Sequence, residues 1–176
     1  DADDMEMPRS PHSGAAHLAV LVPGNVAAGQ TVSRNVLLSY TEGYAIEYLN
    51  RKLKPYWQRD GQSTEVMLAV AEQQYESLKQ RGSQYDQELQ SDLERAGGKG
   101  YAQLAVLAYR QTLAAHKLVA DVDGTPLMFS KENFSNGCIA TVDVLYPAAP
   151  FFLVLNPRLL EAQMKPILDY AALPRW

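Results

Sequence analysis

The sequence holds a single cysteine among its 176 residues. That excludes an internal disulfide framework and any thiolate-rich zinc site. No apolar run reaches the roughly 18 residues that a membrane-crossing helix needs. There is no excess of positive charge: 16 basic residues face 20 acidic ones, for a net charge of −4. This argues against a general nucleic-acid binder. Eleven glycines and ten prolines are too few for a collagen-like or low-complexity chain. The three histidines, His12, His17 and His116, are scattered. No H-E-x-x-H, EF-hand, G-x-G-x-x-G or P-loop pattern occurs, and Gly97-Gly98-Lys99-Gly100 lacks P-loop spacing and reads as a turn. No metal or cofactor is therefore expected. The acidic opening lacks the basic-then-apolar order of a secretion signal.

What is present is an ordinary globular composition, 47% hydrophobic and 20% charged. The length suits one domain with a real core. The abrupt ends, Asp1-Ala2-Asp3-Asp4 and Pro174-Arg175-Trp176, lead us to expect a segment of a larger protein. Residues 1–16 read as a mobile lead-in. Residues 17–42 read as a β segment or the end of a preceding β domain, with strands at 17–22 and 32–40 separated by Pro23-Gly24-Asn25. Residues 43–176 read as a helical-hairpin domain.

Within that domain Tyr44, Tyr48, Leu49, Leu53 and Trp57 recur at helical spacing. Ser63 is an N-cap for a half-exposed amphipathic helix over residues 64–80. Arg81-Gly82 is a break, and a polar helix follows over 83–95. Residues 101–119 form an alanine-rich helix without a broad charged face, expected to be buried. Asp123-Gly124 signals a small β-hairpin whose return strand is 127–130. Residues 143–155 form an apolar helix opened by a capping Asp143 and made irregular by Pro147 and Pro150. An amphipathic helix over 158–172, kinked at Pro166, closes the chain. The expected fold is mainly α: about six helices pairing as three antiparallel αα-hairpins, with a short N-terminal β segment and one small β-hairpin.

The chemistry concentrates between Phe129 and Tyr146. This stretch packs Ser130, Lys131, Glu132, Asn133, Ser135, Asn136 and Cys138 between apolar elements, and Asp143 follows at once. Convergent polar groups on a loop held by a rigid scaffold are where binding sites lie; the same groups also cap helices and satisfy loop backbone. Glu132 and Asp143 are the natural carboxylate pair for hydrolysis, one as base at the attacking water and one as proton donor at the leaving group. His116 is a candidate acid, base or carboxylate ligand, or a helix C-cap. Cys138 lacks an evident activating base. Ser130-Lys131 lacks the S-x-x-K spacing of a lactamase-type site. Asn133-Phe134-Ser135 is an N-glycosylation sequon.

The run Tyr109-Arg110-Gln111, Ala114-Ala115-His116-Lys117-Leu118, the segment 129–137, Thr141-Val142-Asp143, Tyr146-Pro147 and Pro150 closely resembles the glutaminase A family, in its central six-helical-hairpin domain. Tyr56-Trp57, Gly97-Gly98 with Tyr101-Ala102, and the segment 166–171 with Arg175-Trp176 extend the likeness over residues 40–176. The resemblance implies part of an (α/α)6 toroid within a large secreted or cell-envelope protein. In such a protein a β-rich domain precedes the helical one, and neighbouring domains of the same parent chain would be its partners. It implies hydrolysis of L-glutamine to L-glutamate and ammonia. Under that reading Glu132 and Asp143 are catalytic, Arg110 or Lys131 holds the substrate carboxylate, and Asn133, Asn136 and Tyr146 orient the amide, with His116 in the same site. The isolated chain would be inactive. A glycoside-active or carbohydrate-binding toroid domain and a non-catalytic scaffold are the alternatives. Phe129, Phe134 and Tyr146 would be the sugar-stacking rings.

Overall fold

A computed structural model describes residues 19–132 and 136–174. The chain divides into two units, Asp1–Val36 and Leu37–Trp176. In the first unit, residues 19–36 are exposed and carry no regular structure apart from one turn. There the Gln30 amide donates to the Ala27 carbonyl at 3.0 Å, with Gly29 at φ 78°. The strands expected at 17–22 and 32–40 are not formed among the described residues; residues 17 and 18 lie outside them. β-branched residues extend the backbone, but a strand needs a partner for its N–H and C=O groups.

The second unit is built around a four-stranded antiparallel sheet of order β1-β2-β3-β4. β1 (Ile46–Tyr48) and β2 (Arg51–Pro55) form a hairpin in which Ile46 pairs Leu53 and Tyr48 pairs Arg51. Leu49 and Asn50 make its two-residue turn, both at positive φ (48° and 61°), as a type I′ connection requires. The helix expected here is thus corrected to two strands and a short 3-10 turn, Tyr56–Gln58. Burial alternates: Ile46, Tyr48 and Leu53 face inward while Glu47, Lys52 and Lys54 face out. Residues four apart share a face in a helix and in a strand alike, so the spacing Tyr44, Tyr48 did not discriminate.

α1 (Thr64–Gln73) starts at the expected cap, where Ser63 Oγ accepts from the Val66 amide at 3.3 Å. It ends seven residues early, at Gln73. α2 (Tyr75–Ala114) follows and runs through the expected break at Gly82. Its one non-helical residue is Gly98, at φ 80° and ψ 174°. Across that point the Tyr85 and Tyr109 hydroxyls meet at 3.2 Å, although 24 residues of unbroken helix would span about 36 Å. The two arms of α2 therefore fold back on each other about Gly98. The second arm stops at Ala114, not at 119, and of its residues only Ala102 and Ala105 are buried. Leu104 is 70% exposed, so the expectation of a buried helix fails for this chain.

β3 (His116–Ala120) and β4 (Pro126–Ser130) pair from His116↔Ser130 to Ala120↔Pro126. Their connection is the expected Asp-Gly turn: Gly124, at φ 84°, donates to the Asp121 carbonyl at 3.0 Å. Asp121 also receives both carboxylate bonds of Arg51, at 2.6 and 2.7 Å, which ties this turn to β2. α3 (Val142–Leu155) and α4 (Pro157–Ala171) follow, separated by Asn156. Both helices continue through their internal prolines.

One face of the sheet buries Ile46, Tyr48, Leu53, Val119, Leu127 and Phe129. Met128 points the other way and packs with Ala148, Phe152 and Ala162 of α3 and α4. Tyr48 spans to α4, its hydroxyl donating to the Pro166 carbonyl at 2.5 Å. The described helices therefore supply two folded-back pairs, the arms of α2 and the α3–α4 pair, where three hairpins were expected. The chain is mainly helical with a small antiparallel sheet.

Candidate functional site

β4 does not end freely. Lys131 bridges Ile139, the Glu132 amide donates to the Cys138 carbonyl at 3.2 Å, and the Ala140 amide donates to the Ser130 carbonyl at 3.0 Å. The polar loop is thus a turn-back on the end of β4. Asn136 helps shape it, its Oδ1 accepting from the Cys138 amide at 2.8 Å. Ala140, at φ 56°, reverses the chain in a left-handed conformation that non-glycine residues rarely adopt. Thr141 then leads straight into α3. Asn133, Phe134 and Ser135, and with them the sequon and the Asn133 assignment, lie outside the described residues.

Asp143 is the second residue of α3; Thr141, not Asp143, occupies its N-cap position, and no side chain caps it. A carboxylate in the first turn is favoured by the positive end of the helix dipole. Asp143 is exposed and lines an open groove of about 750 Å³. The groove's other walls are the last turns of α2, from Ala108 to Ala115, together with His116, Val144, Pro147 and Phe151. Asp143 and His116, 27 positions apart in the sequence, thus reach one groove.

His116 is half-buried. Its Nδ1 donates to the Thr112 carbonyl in the last turn of α2 at 2.6 Å, and its Nε2 lies 2.9 Å from Nε2 of Gln163. The Phe152 ring packs against the imidazole in a T-shaped contact at 5.3 Å between centroids. Burial lowers the basicity of the ring below the ordinary imidazole range, and the bond to Thr112 opposes that shift.

The other candidates are placed as follows. Glu132 is partly buried in the turn-back and is not among the residues lining the groove. Lys131 and Arg110 are exposed. Tyr146 is 82% exposed on α3. Phe129 is fully buried and cannot stack on a ligand. Cys138 is an exposed free thiol. Among the described residues no cluster of histidine, cysteine and carboxylates could hold a metal ion, and no helix is long and apolar enough to cross a membrane.

Two polar residues are buried beside His116, of which Gln163 was not read from the sequence. Gln163 is 2% exposed, on the face of α4 that otherwise carries Leu159, Leu160 and Pro166. A carboxamide interrupting an apolar helical face was the available signal. Ser130, 1% exposed, is the cross-strand neighbour of His116, and its hydroxyl makes no hydrogen bond.

Residues 98–176 match the glutaminase A six helical-hairpin domain, and residues 2–92 match a domain of unknown function, DUF5127. The chain belongs to the DUF5127 family, and its residues 98–176 carry a fragment of the glutaminase A six helical-hairpin domain. It is 40% identical over 84 residues to glutaminase A of Aspergillus oryzae, covering 48% of this chain and 12% of that protein. It is 27% identical over 137 residues to a protein named probable glutaminase from Arthroderma benhamiae, covering 76% of this chain and 16% of that protein. The chain thus spans less than a fifth of the length of these curated relatives. No solved structure matches it. The six-hairpin match begins at Gly98, the point where α2 folds back.

Proposed function

We propose that this chain is a segment of a glutaminase A-like amidohydrolase that converts L-glutamine to L-glutamate and ammonia. The observation that carries the reading is the groove shared by Asp143 and His116, inside the region that matches the glutaminase A domain. Hydrolysis of a carboxamide asks for little else than a positioned base, a positioned proton donor and a clamp on the rest of the substrate. In this reading one carboxylate takes a proton from water as its oxygen bonds to the amide carbon. The tetrahedral carbon then expels nitrogen, which leaves as ammonia with a proton from the partner carboxyl. Asp143 and Glu132 fill these two roles. Arg110 or Lys131 holds the α-carboxylate, while Asn133, Asn136 and Tyr146 orient the amide, with His116 in the groove wall.

The folded-back helix pairs would then be part of an (α/α)6 toroid completed by the rest of a secreted or cell-envelope protein. Glu132→Gln in the full-length protein is expected to lower ammonia release by at least about a hundredfold while the far-ultraviolet circular dichroism stays unchanged. Near-normal release would end the assignment of Glu132.

A carbohydrate ligand is the second reading. It is favoured by an aromatic run that ends at the groove: Tyr85 and Tyr109 at 6.4 Å, then Tyr109 and Phe151 at 5.9 Å between ring centroids. Saturable binding of oligosaccharides without turnover of glutamine would select it.

A further inference from the structure

We infer that Gln163 is a positioning residue that fixes the tautomer and charge of His116, and so leaves Asp143 as the charged group of the groove. The consequence for Asp143 rests on the amidohydrolase reading; the state of His116 does not.

The Thr112 carbonyl only accepts, so Nδ1 of His116 carries a proton. The Gln163 amide nitrogen only donates, so Nε2 must offer its lone pair. Both conditions hold together only in the neutral imidazole with hydrogen on Nδ1. A protonated ring would set an N–H against an N–H₂. Gln163 reaches the ring from α4, 47 positions away in the sequence, and is itself 2% exposed.

The groups in direct contact with the ring are uncharged. α2 presents the Thr112 carbonyl, β4 places Ser130 opposite in the register, α4 presents Gln163 and α3 presents Phe152 in a T-shaped contact. From α3, too, comes Asp143, the one ionisable side chain that lines the groove with His116 among the described residues. No charged side chain contributes to the lowered basicity of the ring, which burial causes.

The functional consequence follows from charge. A cationic imidazole in the groove wall would attract the Asp143 carboxylate and compete with water for it. With the ring neutral, that carboxylate remains available to take a proton from water or to meet the ammonium of an amino-acid substrate. Gln163 thereby acts on the chemistry through His116 without touching substrate.

The test is nitrogen NMR of the histidine rings in this chain, labelled with ¹⁵N-histidine and titrated with acid. His116 is expected to show protonated Nδ1 and unprotonated Nε2 at neutral pH. Gln163→Glu places an acceptor anion at Nε2 and is expected to raise the midpoint of the His116 titration by at least about one pH unit. Gln163→Met is expected to remove the bond at Nε2 and leave the Thr112 bond in place. Hydrogen on Nε2, or a ring already cationic at neutral pH in the unaltered chain, would overturn the inference. So would an unchanged midpoint in a folded Gln163→Glu chain. If that variant does not fold, the tautomer of the unaltered chain still decides. A protein that releases no ammonia but shows the stated tautomer would overturn the amidohydrolase reading alone.

Discussion

His116 links the groove to the stability of the fold through one proton. Its ring binds that proton less readily folded than unfolded, because burial disfavours the charged form. As pH falls below the ordinary value of 6.5, the unfolded chain therefore takes up the proton first. The stability contributed by this residue is intact above that value and is lost as pH falls through the lower, folded value. Urea unfolding at about pH 7.5 and about pH 5.5 should show a loss that His116→Gln reduces. Equal losses in both chains would contradict the placement of the ring. Phe152, 1% exposed and in contact with that ring, gives a second residue-scale test. Phe152→Ala should cost about 3–5 kcal/mol in the same assay, because the sheet and α4 cannot collapse fully into the space. At this scale the sequence exposed Asp143 and His116 as chemically able. It hid their meeting, which depends on α2 and α3 converging. It also hid Gln163, whose partner is 47 positions away.

Elements were legible where local chemistry decides them and illegible where pairing does. Ser63 capped α1 as its hydroxyl required, and Asp123-Gly124 made its turn. α3 and α4 lie within one or two residues of their expected bounds. The helix expected over 101–119 overlaps β3, although the hairpin at Asp123-Gly124 is the expected one; the partners β2 and β4 impose the extended state from His116 onward. Gly82 and Gly98 show why glycine alone does not mark a break. Gly82 is helical, with nothing within 4 Å of where a Cβ would stand. Gly98 has a φ of 80° and a ψ of 174°, a region almost closed to other residues. Gly82→Ala should therefore stabilise the chain by about 0.5–1 kcal/mol. Gly98→Ala should destabilise it by about 1–3 kcal/mol and separate Tyr85 from Tyr109. Denaturant midpoints check both, and shifts of the same sign would contradict the fold-back at Gly98.

For the molecule as a whole, the long motif between Phe129 and Pro150 carried the family further than composition or periodicity could. The helices themselves are only partly covered: Leu104, Leu107, Val154 and Leu168 are exposed. The chain spans less than a fifth of the length of its curated relatives. The central claim is that the groove of Asp143 and His116 belongs to an amide-hydrolysing site. Ammonia release from glutamine tests it most directly, measured side by side for the full-length protein, its Asp143→Asn variant and this chain alone. The account predicts release by the full-length protein, a loss of at least about a hundredfold in the variant, and none from the isolated chain. Undiminished release by a folded Asp143→Asn protein would contradict it.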